Sequence, residues 1–388
     1  MTTESSAYSP GLEGIIAGVS SISSIDTERN VLAYRGYNVA DLCDHASFEE
    51  VAYLLLFGEL PNLAELAKFT ARLVEEQEAP GYVYETVRLL PPDSEPMDWL
   101  KVAIAALALS DPDPHNNTHE ANSGRAIRLT AVLPSILANG WRILHGLDPL
   151  SAPHGLTHAA RFLWLMTGES PDQYFEKVLN TTLILYAEHG FNASTFAARV
   201  TVSTLSDLYS GVVSAIGTLK GPLHGGANEE VMRMLLEIGE PENTESWLRK
   251  RLTKTPENPR PRIMGFGHRE YKRGDQRAQI VRRYTRELAE RTGQTKWTAI
   301  ADILEQTMLR DKGLHPNLDF PVSPAYYMMG LPIPLYTPIF VLSRVVGWSA
   351  HIIEQLDDNR LIRPTNLYNG PAIRPFVPIE SRSCASEG

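Results

Sequence analysis

Apolar residues recur with the period of a helix along most of the chain, and with the pattern of strands only near its beginning. Residues 14–39 are rich in valine, isoleucine, serine and tyrosine and are interrupted by the polar run DTERN, which predicts one or two short strands in a hairpin. Apolar residues spaced at i, i+3 and i+4 predict helices over 98–110, 123–145, 173–189 and 193–219. Helices are therefore expected to dominate the fold.

Local signals mark the ends of several helices. Ser47 and Glu50 form the pattern of a capping box before FEEVAYLLLF, and Gly58 is suited to end that helix. A second helix is expected after Pro61, and Asn192 is a suitable N-cap for the helix that follows it. Such residues satisfy backbone groups that a helix end leaves unpaired.

Beyond Gly221 the predicted helices become shorter and more charged. They cover 229–238, 246–252, 276–291 and 296–310, and proline-rich loops such as TPENPRPRIMGFGH separate them. From Ala325 the chain becomes apolar again, and 338–356 is expected to form a long buried helix. We therefore predict a large domain over 1–221, a small domain over 222–324, and a return to the large domain over 325–388. From Tyr368 onward we expect an extended arm.

Composition supports a large folded protein and limits its partners. The chain has 388 residues, of which 43% are hydrophobic, enough for roughly two domains with substantial cores. Its 46 acidic and 36 basic residues give a formal charge of -10, so the surface as a whole repels nucleic acid and anionic membranes. An anionic ligand must therefore be bound by a local group of arginines.

Compartment signals are few. Cys43 and Cys384 are too few and too distant for a disulfide framework or a cysteine metal site, which favours a reducing compartment. The start MTTESSAYSPGLEG has neither a basic and apolar leader nor an arginine-rich amphipathic helix. No apolar run reaches the ~20 residues of a membrane-spanning helix. We expect a cytoplasmic protein.

Two pairs of histidines have the spacing of metal ligands on a helix. His154 and His158 are four residues apart, as are His115 and His119. The chain has no HExxH motif, however, and Pro114 disfavours a helix that begins well before His115. We expect all four to be surface or loop histidines, and we expect no catalytic metal.

Three other histidines lie in unusual surroundings. His224 in GPLHGGAN is compatible with a phosphate loop, a metal site or a catalytic imidazole, but the P-loop lysine is missing. His268 follows Gly265 and Gly267, which would let the backbone approach a ligand closely, although GFGH lacks the third glycine of a dinucleotide motif. His189, at the predicted end of a helix, is either a site residue or a histidine stabilised by the helix dipole.

A carboxylate and several arginines complete the set of candidates. Asp319, in NLDFPVSP, is either the N-cap of a helix that begins near Val322 or a base in a dry cleft with a raised pKa. Arg344 interrupts the apolar run PIFVLSRVVGW and, if buried, requires an anionic partner. Arg277 and Arg363 are surface residues by default, but arginines suit a small dicarboxylate, which they can bind in a bidentate way.

Six separated motifs, taken together, resemble the citrate synthase family. They are GPLHGGAN, EHGFNASTFAARV, IMGFGHREYK followed by Arg277, NLDFPVSP, GWSAHIIEQ and LIRP. They occur in the order and at the spacing of the family and span nearly the whole chain. GLEGIIAGVSSIS and YRGY near the start also resemble its shorter bacterial members. The resemblance implies an all-α fold of two domains, with a minor N-terminal hairpin, in which the small domain closes over the substrates.

The same resemblance implies a reaction and assigns residues to it. The implied reaction condenses acetyl-CoA with oxaloacetate and water to citrate and CoA, with no metal or redox cofactor. His224, His268 and Asp319 would be catalytic, and oxaloacetate would be bound by His189, Arg277, Arg344 and, from the partner subunit of a homodimer, Arg363. For CoA we expect Arg262, Lys272 and Lys312, which are otherwise ordinary surface cations, together with Gly265 and Gly267. A low pKa is expected for His224, caused by the helix N-terminus that follows it.

The resemblance leaves alternatives open. A 2-methylcitrate synthase would use propionyl-CoA through the same residues, and a non-catalytic CoA-binding or assembly protein is a possibility of another class. Glu270 and Gln276 depart from the family pattern, which has a branched aliphatic residue and a proline at these positions. Loss of that proline is expected to hold Arg277 less rigidly. Because the chain lacks the extension of the large NADH-inhibited members, we do not expect inhibition by NADH.

Overall fold

A small antiparallel sheet forms near the start of the chain in the computed structural model, which describes residues 8–255, 259, 261–268 and 270–382. Strands β1 (Ser23–Asp26), β2 (Val31–Tyr34) and β3 (Tyr37–Asn38) are neighbours in that order. The register pairs Ser23 with Tyr34 and Ala33 with Asn38. The predicted hairpin is confirmed, and a tight turn through Gly36, at φ 90°, adds a third strand.

Helices make up the rest of the regular structure, with sixteen in the described residues. The first eight are α1 (Val39–His45), α2 (Phe48–Phe57), α3 (Leu63–Glu75), α4 (Gly81–Arg88), α5 (Pro96–Ala108), α6 (His119–Leu144), α7 (His158–Thr167) and α8 (Gln173–Tyr186). The others are α9 (Ala193–Val202), α10 (Leu208–Leu219), α11 (Ala227–Ile238), α12 (Thr244–Leu252), α13 (Gln276–Thr292), α14 (Lys296–Lys312), α15 (Asp319–Met328) and α16 (Tyr336–Asp357). The prediction of an all-α fold is confirmed.

Capping side chains act as the sequence predicts. Ser47 and Glu50 form a complete capping box at the start of α2, and Gly58 ends that helix with φ 94°. The Asn192 side chain accepts hydrogen bonds from two amides at the start of α9. These local bonds determine where the chain enters and leaves each helix.

Two predicted helices end earlier than expected. Residues 193–219 form two helices, because the chain turns at Leu205, with φ 67°, and Asp207 then caps α10. The helix predicted over 173–189 ends at Tyr186, so His189 lies in the turn between α8 and α9. A third helix begins earlier than expected: it was predicted to begin near Val322, and it begins at Asp319.

The core is organised around α16, which packs against α6, α8, α9 and α10. Most of this helix is buried, including Trp348 and Arg344. A second group of contacts joins α11, α13, α14 and α15, with α12 packed on α14. The predicted division into domains stays a prediction.

The four histidines at metal-like spacing do not share helix faces. His115 and His154 lie in exposed turns, and His119 is exposed at the start of α6. His158 is buried at the start of α7, so its predicted surface or loop position is wrong, and burial lowers its pKa to about 3. In the part of the chain that the structure describes, no three histidine, cysteine or acidic side chains could hold a metal ion. That no metal takes part stays a prediction.

The remaining features concern the ends and the surface. Residues 359–382 are extended and mostly exposed apart from a short turn at Ile379–Ser381, as expected for an arm. Cys43 is buried with a free thiol, and Cys384 lies outside the described residues. Among the described helices, none combines the length and apolarity needed to cross a membrane.

Candidate active site

A large cleft of about 1830 Å³ brings the predicted site residues together. Its lining includes all three predicted catalytic residues and three of the predicted oxaloacetate residues, namely His224, His268, Asp319, His189, Arg277 and Arg344. Four of the residues expected at CoA, Arg262, Gly265, Gly267 and Lys312, also line it. Two predicted residues, Lys272 and Arg363, do not line the cleft of their own chain.

The loops that carry His268 and Asp319 are joined by backbone hydrogen bonds. Phe266 and Pro316 form an antiparallel bridge, and the Gly267 amide donates to the carbonyl of His315 at 2.8 Å. Gly265 has φ 81°, and a side chain there would come within 2.7 Å of Val231. Gly265 is therefore required by packing between the two loops and α11, whereas the sequence suggested close approach to a ligand.

Asp319 is half-buried at the first position of α15. Its Oδ1 accepts a hydrogen bond from the Tyr186 hydroxyl at 2.6 Å. Its side chain does not cap the helix, whose N-cap position is Leu318, so the N-cap alternative is wrong. Burial raises the pKa of Asp319 to about 6, although the Tyr186 hydroxyl and Arg277 act to lower it. The expected raised pKa is confirmed, and its cause is desolvation.

His224 lies in the turn before α11 and contacts Ser194. The main-chain amide of Ser194 lies 3.3 Å from Nε2, and the Ser194 hydroxyl lies 2.8 Å from the same atom. Because an amide can only donate, Nε2 accepts, and the neutral ring carries its proton on Nδ1. Burial, assisted by the charge of Arg344, lowers the pKa of His224 to about 4. The low pKa is confirmed, and burial is its largest cause.

His268 has the opposite tautomer. Its Nδ1 accepts from the main-chain amides of Glu270 at 3.1 Å and Tyr271 at 3.4 Å. The neutral ring therefore carries its proton on Nε2. Burial and the charge of Arg277 lower the pKa of His268 to about 4. Two neutral imidazoles with opposite donor atoms thus line one cleft.

His189 is buried next to His268 and Tyr271. The His189 and His268 rings are 5.1 Å apart between centroids, and His189 Nε2 lies 3.0 Å from the Tyr271 hydroxyl. Burial and the charge of Arg277 hold the pKa of His189 well below its ordinary value. Sequence reasoning missed Tyr271, although an aromatic residue three positions after His268 was a visible signal.

Arg277 is held firmly by Asp275 at the start of α13. One Asp275 oxygen accepts from the Arg277 amide and from Nε, both at 3.0 Å, and the other accepts from Nη2 at 2.9 Å. Burial acts to lower the pKa of Arg277, but the charge and hydrogen bonds of Asp275, together with Tyr271 and Tyr34, outweigh burial and raise that pKa. Asp275 thus caps the helix and pairs with the guanidinium. The expected loosening of Arg277 by Gln276 stays a prediction.

Arg344 is buried, 2% exposed, in the middle of α16. Its Nε donates to the Tyr186 carbonyl at 2.5 Å, and its guanidinium lies over the Phe340 ring at 4.6 Å. Burial lowers the pKa of Arg344 to about 10, against the attraction of the buried Glu188. Glu188 itself pairs with His351 at 2.9 Å, so it does not neutralise Arg344 by direct contact. The arginine is available to an anion in the cleft.

Cations are present at the exposed part of the cleft. Arg262 and Lys312 are exposed there, and Arg251 and Lys254, which sequence reasoning missed, also line it. The Lys272 ammonium is instead bonded to the carbonyl of His268 at 3.2 Å. Arg363 is exposed on the arm, away from the cleft of its own chain.

Comparison with known proteins identifies the family. The family model described as "Citrate synthase, C-terminal domain" matches residues 11–365. The chain belongs to the citrate synthase family. It is similar to "Citrate synthase 2" of Bacillus subtilis, with 45% identity over 96% of this chain and 99% of the relative. It is equally similar to "2-methylcitrate synthase" of Mycobacterium tuberculosis, with 45% identity over 93% of this chain and 90% of the relative.

Solved citrate synthase structures have the same fold. The enzyme of Pyrobaculum aerophilum matches with a TM-score of 0.88 and 39% identity, covering 96% of this chain and 95% of that one. Citrate synthase of the archaeon Thermoplasma acidophilum, solved as a ternary complex with carboxymethyl coenzyme A and oxaloacetate, matches with a TM-score of 0.90 and 36% identity. That match covers 97% of this chain and 100% of the other. The chain is therefore an acyl-transferring condensing enzyme, which disfavours the non-catalytic alternative.

Proposed function

We propose that the chain condenses acetyl-CoA with oxaloacetate and water, releasing citrate and CoA. The observation that carries the proposal is one cleft that holds a carboxylate with a raised pKa and two neutral imidazoles with opposite donor atoms. Forming a carbon–carbon bond from a thioester requires this combination of a base and two hydrogen-bond donors.

In the first step Asp319 removes a proton from the methyl group of acetyl-CoA. A pKa of about 6 makes this carboxylate a stronger base than an ordinary aspartate while it stays ionised at neutral pH. His224 donates from Nδ1 to the thioester oxygen and stabilises the enol or enolate that forms. A neutral ring is suited to this role because its Nε2 already accepts from Ser194.

In the second step the enol carbon attacks the keto carbon of oxaloacetate. His268 donates from Nε2 to the keto oxygen and stabilises the developing alkoxide. His189, Arg277 and Arg344 bind the dicarboxylate, and Arg363 of the partner subunit completes the set. Water then cleaves the citryl thioester, so that its carbonyl carbon gains a hydroxyl oxygen and CoA leaves as the thiol.

The phosphates of CoA are assigned to the cations around the cleft. Arg262 and Lys312 support this by their exposed positions on its lining. For Lys272, whose ammonium bonds to the His268 carbonyl, contact with CoA stays a prediction. Gly265 and Gly267 shape the wall beside them. We propose a homodimer in the cytoplasm that uses no metal or redox cofactor. We further propose that a small domain over 222–324 closes on oxaloacetate and excludes water from the enolate.

Propionyl-CoA is the alternative acyl donor, which would make the enzyme a 2-methylcitrate synthase. A specific observation favours it, because a relative of that name is 45% identical to this chain. One additional methylene in an apolar pocket changes discrimination by only ~1 to 3 kcal/mol. Measured kcat/KM values for acetyl-CoA and propionyl-CoA with oxaloacetate decide between them, and a clear preference for propionyl-CoA would reverse our assignment.

The acid–base assignment is tested by Asp319→Asn and His224→Ala. We expect each to reduce citrate formation by at least ~1,000-fold, because the proton acceptor or the enolate donor is lost. Asp311→Asn is the matched control, since Asp311 is exposed and pairs with Arg310 outside the cleft. Turnover is measured by release of the CoA thiol, and circular dichroism checks folding. Near-normal turnover in a folded Asp319→Asn or His224→Ala enzyme would refute the assignment.

A further inference from the structure

Tyr186, the last residue of α8, bonds both to the proposed base, Asp319, and to Arg344, which is proposed to bind oxaloacetate. Its hydroxyl donates to Asp319 Oδ1 at 2.6 Å, across 133 positions of sequence. Its main-chain carbonyl accepts from Arg344 Nε at 2.5 Å. One residue therefore connects the carboxylate and the buried arginine.

The Tyr186 ring is held in one place. It is 2% exposed and packs on Phe340 with 4.1 Å between ring centroids. Burial, and then the charge of Asp319, hold the pKa of the Tyr186 hydroxyl well above its ordinary value. The hydroxyl is therefore always protonated under working conditions and always able to donate.

We propose that Tyr186 is a positioning residue, whose hydroxyl orients the Asp319 carboxylate for proton abstraction. The hydrogen bond from Arg344 to the Tyr186 carbonyl holds the tyrosine itself in place. The inference rests on the proposed function, in which Asp319 is the base. A carboxylate without this bond is free to rotate about its own side-chain torsions, and proton transfer requires it within hydrogen-bond reach of the methyl group.

The bond also sets how easily Asp319 ionises. A donor to the charged form of a carboxylate favours that form. The other charged groups that act on Asp319 are Arg277 and Arg344, which favour its ionised form, and Asp275, which opposes it. Tyr326 lies on the same helix as Asp319, but its hydroxyl bonds to Thr182. Tyr186 is therefore the hydroxyl donor that the described structure gives Asp319.

The test is Tyr186→Phe, compared with Tyr326→Phe. Phenylalanine keeps the ring that packs on Phe340 and the carbonyl that holds Arg344, and it removes only the hydroxyl. The control removes an equally buried tyrosine hydroxyl, which bonds to Thr182 Oγ1 at 2.9 Å. We expect Tyr186→Phe to move the acidic limb of the kcat/KM profile to higher pH by about one unit. We expect kcat on the plateau to fall about tenfold, with KM for oxaloacetate unchanged.

The outcomes separate the positioning role from a structural one. An unchanged acidic limb and unchanged kcat in a folded Tyr186→Phe enzyme overturn the proposal. Equal changes in both tyrosine variants also overturn it, because they would reflect lost packing.

A direct titration separates this inference from the proposed function. The carboxyl carbon of Asp319 is followed by NMR in aspartate-labelled protein, with its signal assigned by Asp319→Asn. If the parent enzyme forms no citrate, the proposed function fails. The titration still decides on the Tyr186 contact, since a rise in the Asp319 midpoint in Tyr186→Phe supports it and an unchanged midpoint overturns it.

Discussion

At the scale of single residues, burial determines the protonation states that the reaction requires. The pKa of Asp319 rises to about 6, and the pKa values of His224 and His268 fall to about 4, with desolvation as the largest cause in each case. Burial disfavours the charged form of an acid and of a base alike, so these shifts reverse the usual order and place the pKa of Asp319 above those of the two histidines. At neutral pH the acid is ionised and the imidazoles are neutral.

These values predict the acidic side of the pH profile. As the pH falls, Asp319 binds a proton first, near pH 6, and can then no longer act as the proposed base, while both imidazoles stay neutral until about pH 4. We expect kcat/KM for acetyl-CoA to fall tenfold per pH unit below about 6. Steady-state rates between pH 4.5 and 9 measure this. A limb centred near pH 4 would contradict the assignment of Asp319 as the base.

At the scale of elements, the packing of α16 against the end of α8 determines the shape of the site. A helix that is apolar on all sides must be buried, and α16 carries Arg344 into the core in this way. The closest approach is at Gly347, where an added Cβ would collide with the Ala187 carbonyl and lie 2.5 Å from Glu188 Oε2. Glu188 in turn accepts from His351 and Ser23, so the helix contact and the buried charges form one unit.

Gly347→Ala tests this contact. We expect it to destabilise the protein by about 1 to 3 kcal/mol, because the backbone of the α8 end cannot move away without breaking the Glu188 network. Gly217→Ala is the matched control, since Gly217 is an exposed helical glycine in α10 whose added Cβ would meet only Lys101, at 3.9 Å. That control should be neutral or stabilising, because alanine favours a helix. Urea and thermal unfolding measure both, and equal stability of the two variants would contradict the packing argument.

At the scale of the whole molecule, the C-terminal arm is suited to contact a second subunit. Residues 359–382 leave several large apolar side chains exposed, namely Leu367, Tyr368, Ile373, Phe376 and Ile379. Such a series of exposed apolar residues is typical of an interaction surface. Arg363 lies at the base of this arm and away from its own cleft. Both features fit the proposed homodimer, in which Arg363 of one subunit would contribute to the cleft of the other.

Complementation between two inactive chains tests the shared site. Arg363→Ala and Asp319→Ala homodimers should each be inactive, whereas a hybrid dimer contains one site with both residues intact. An equal mixture after subunit exchange should therefore regain about a quarter of the parent activity, because about half of the dimers are hybrids. Mass spectrometry verifies exchange. Proven exchange without recovered activity would show that Arg363 acts within its own chain or not at all.

Much of the fold follows from local sequence. Helix periodicity and caps such as Ser47, Glu50 and Asn192 act over a few residues, so their outcome does not depend on distant parts of the chain. The helix break at Leu205 was less visible, because apolar residues continue across it and only Asp207 marks the new start. The candidate residues were also readable, since GPLHGGAN, GFGH and NLDF place chemically unusual side chains in glycine- or proline-rich loops.

The sequence by itself determined the helical elements, most of their capped ends, and the motifs that carry the site residues. Only the tertiary structure decided the environment of those residues, namely which groups are buried and which distant side chains contact them. Tyr186 meets Asp319 across 133 positions, and Ser194 meets His224 across 30. The physical reason is that burial and hydrogen-bond partners depend on how elements pack together, whereas periodicity and capping depend on neighbours along the chain.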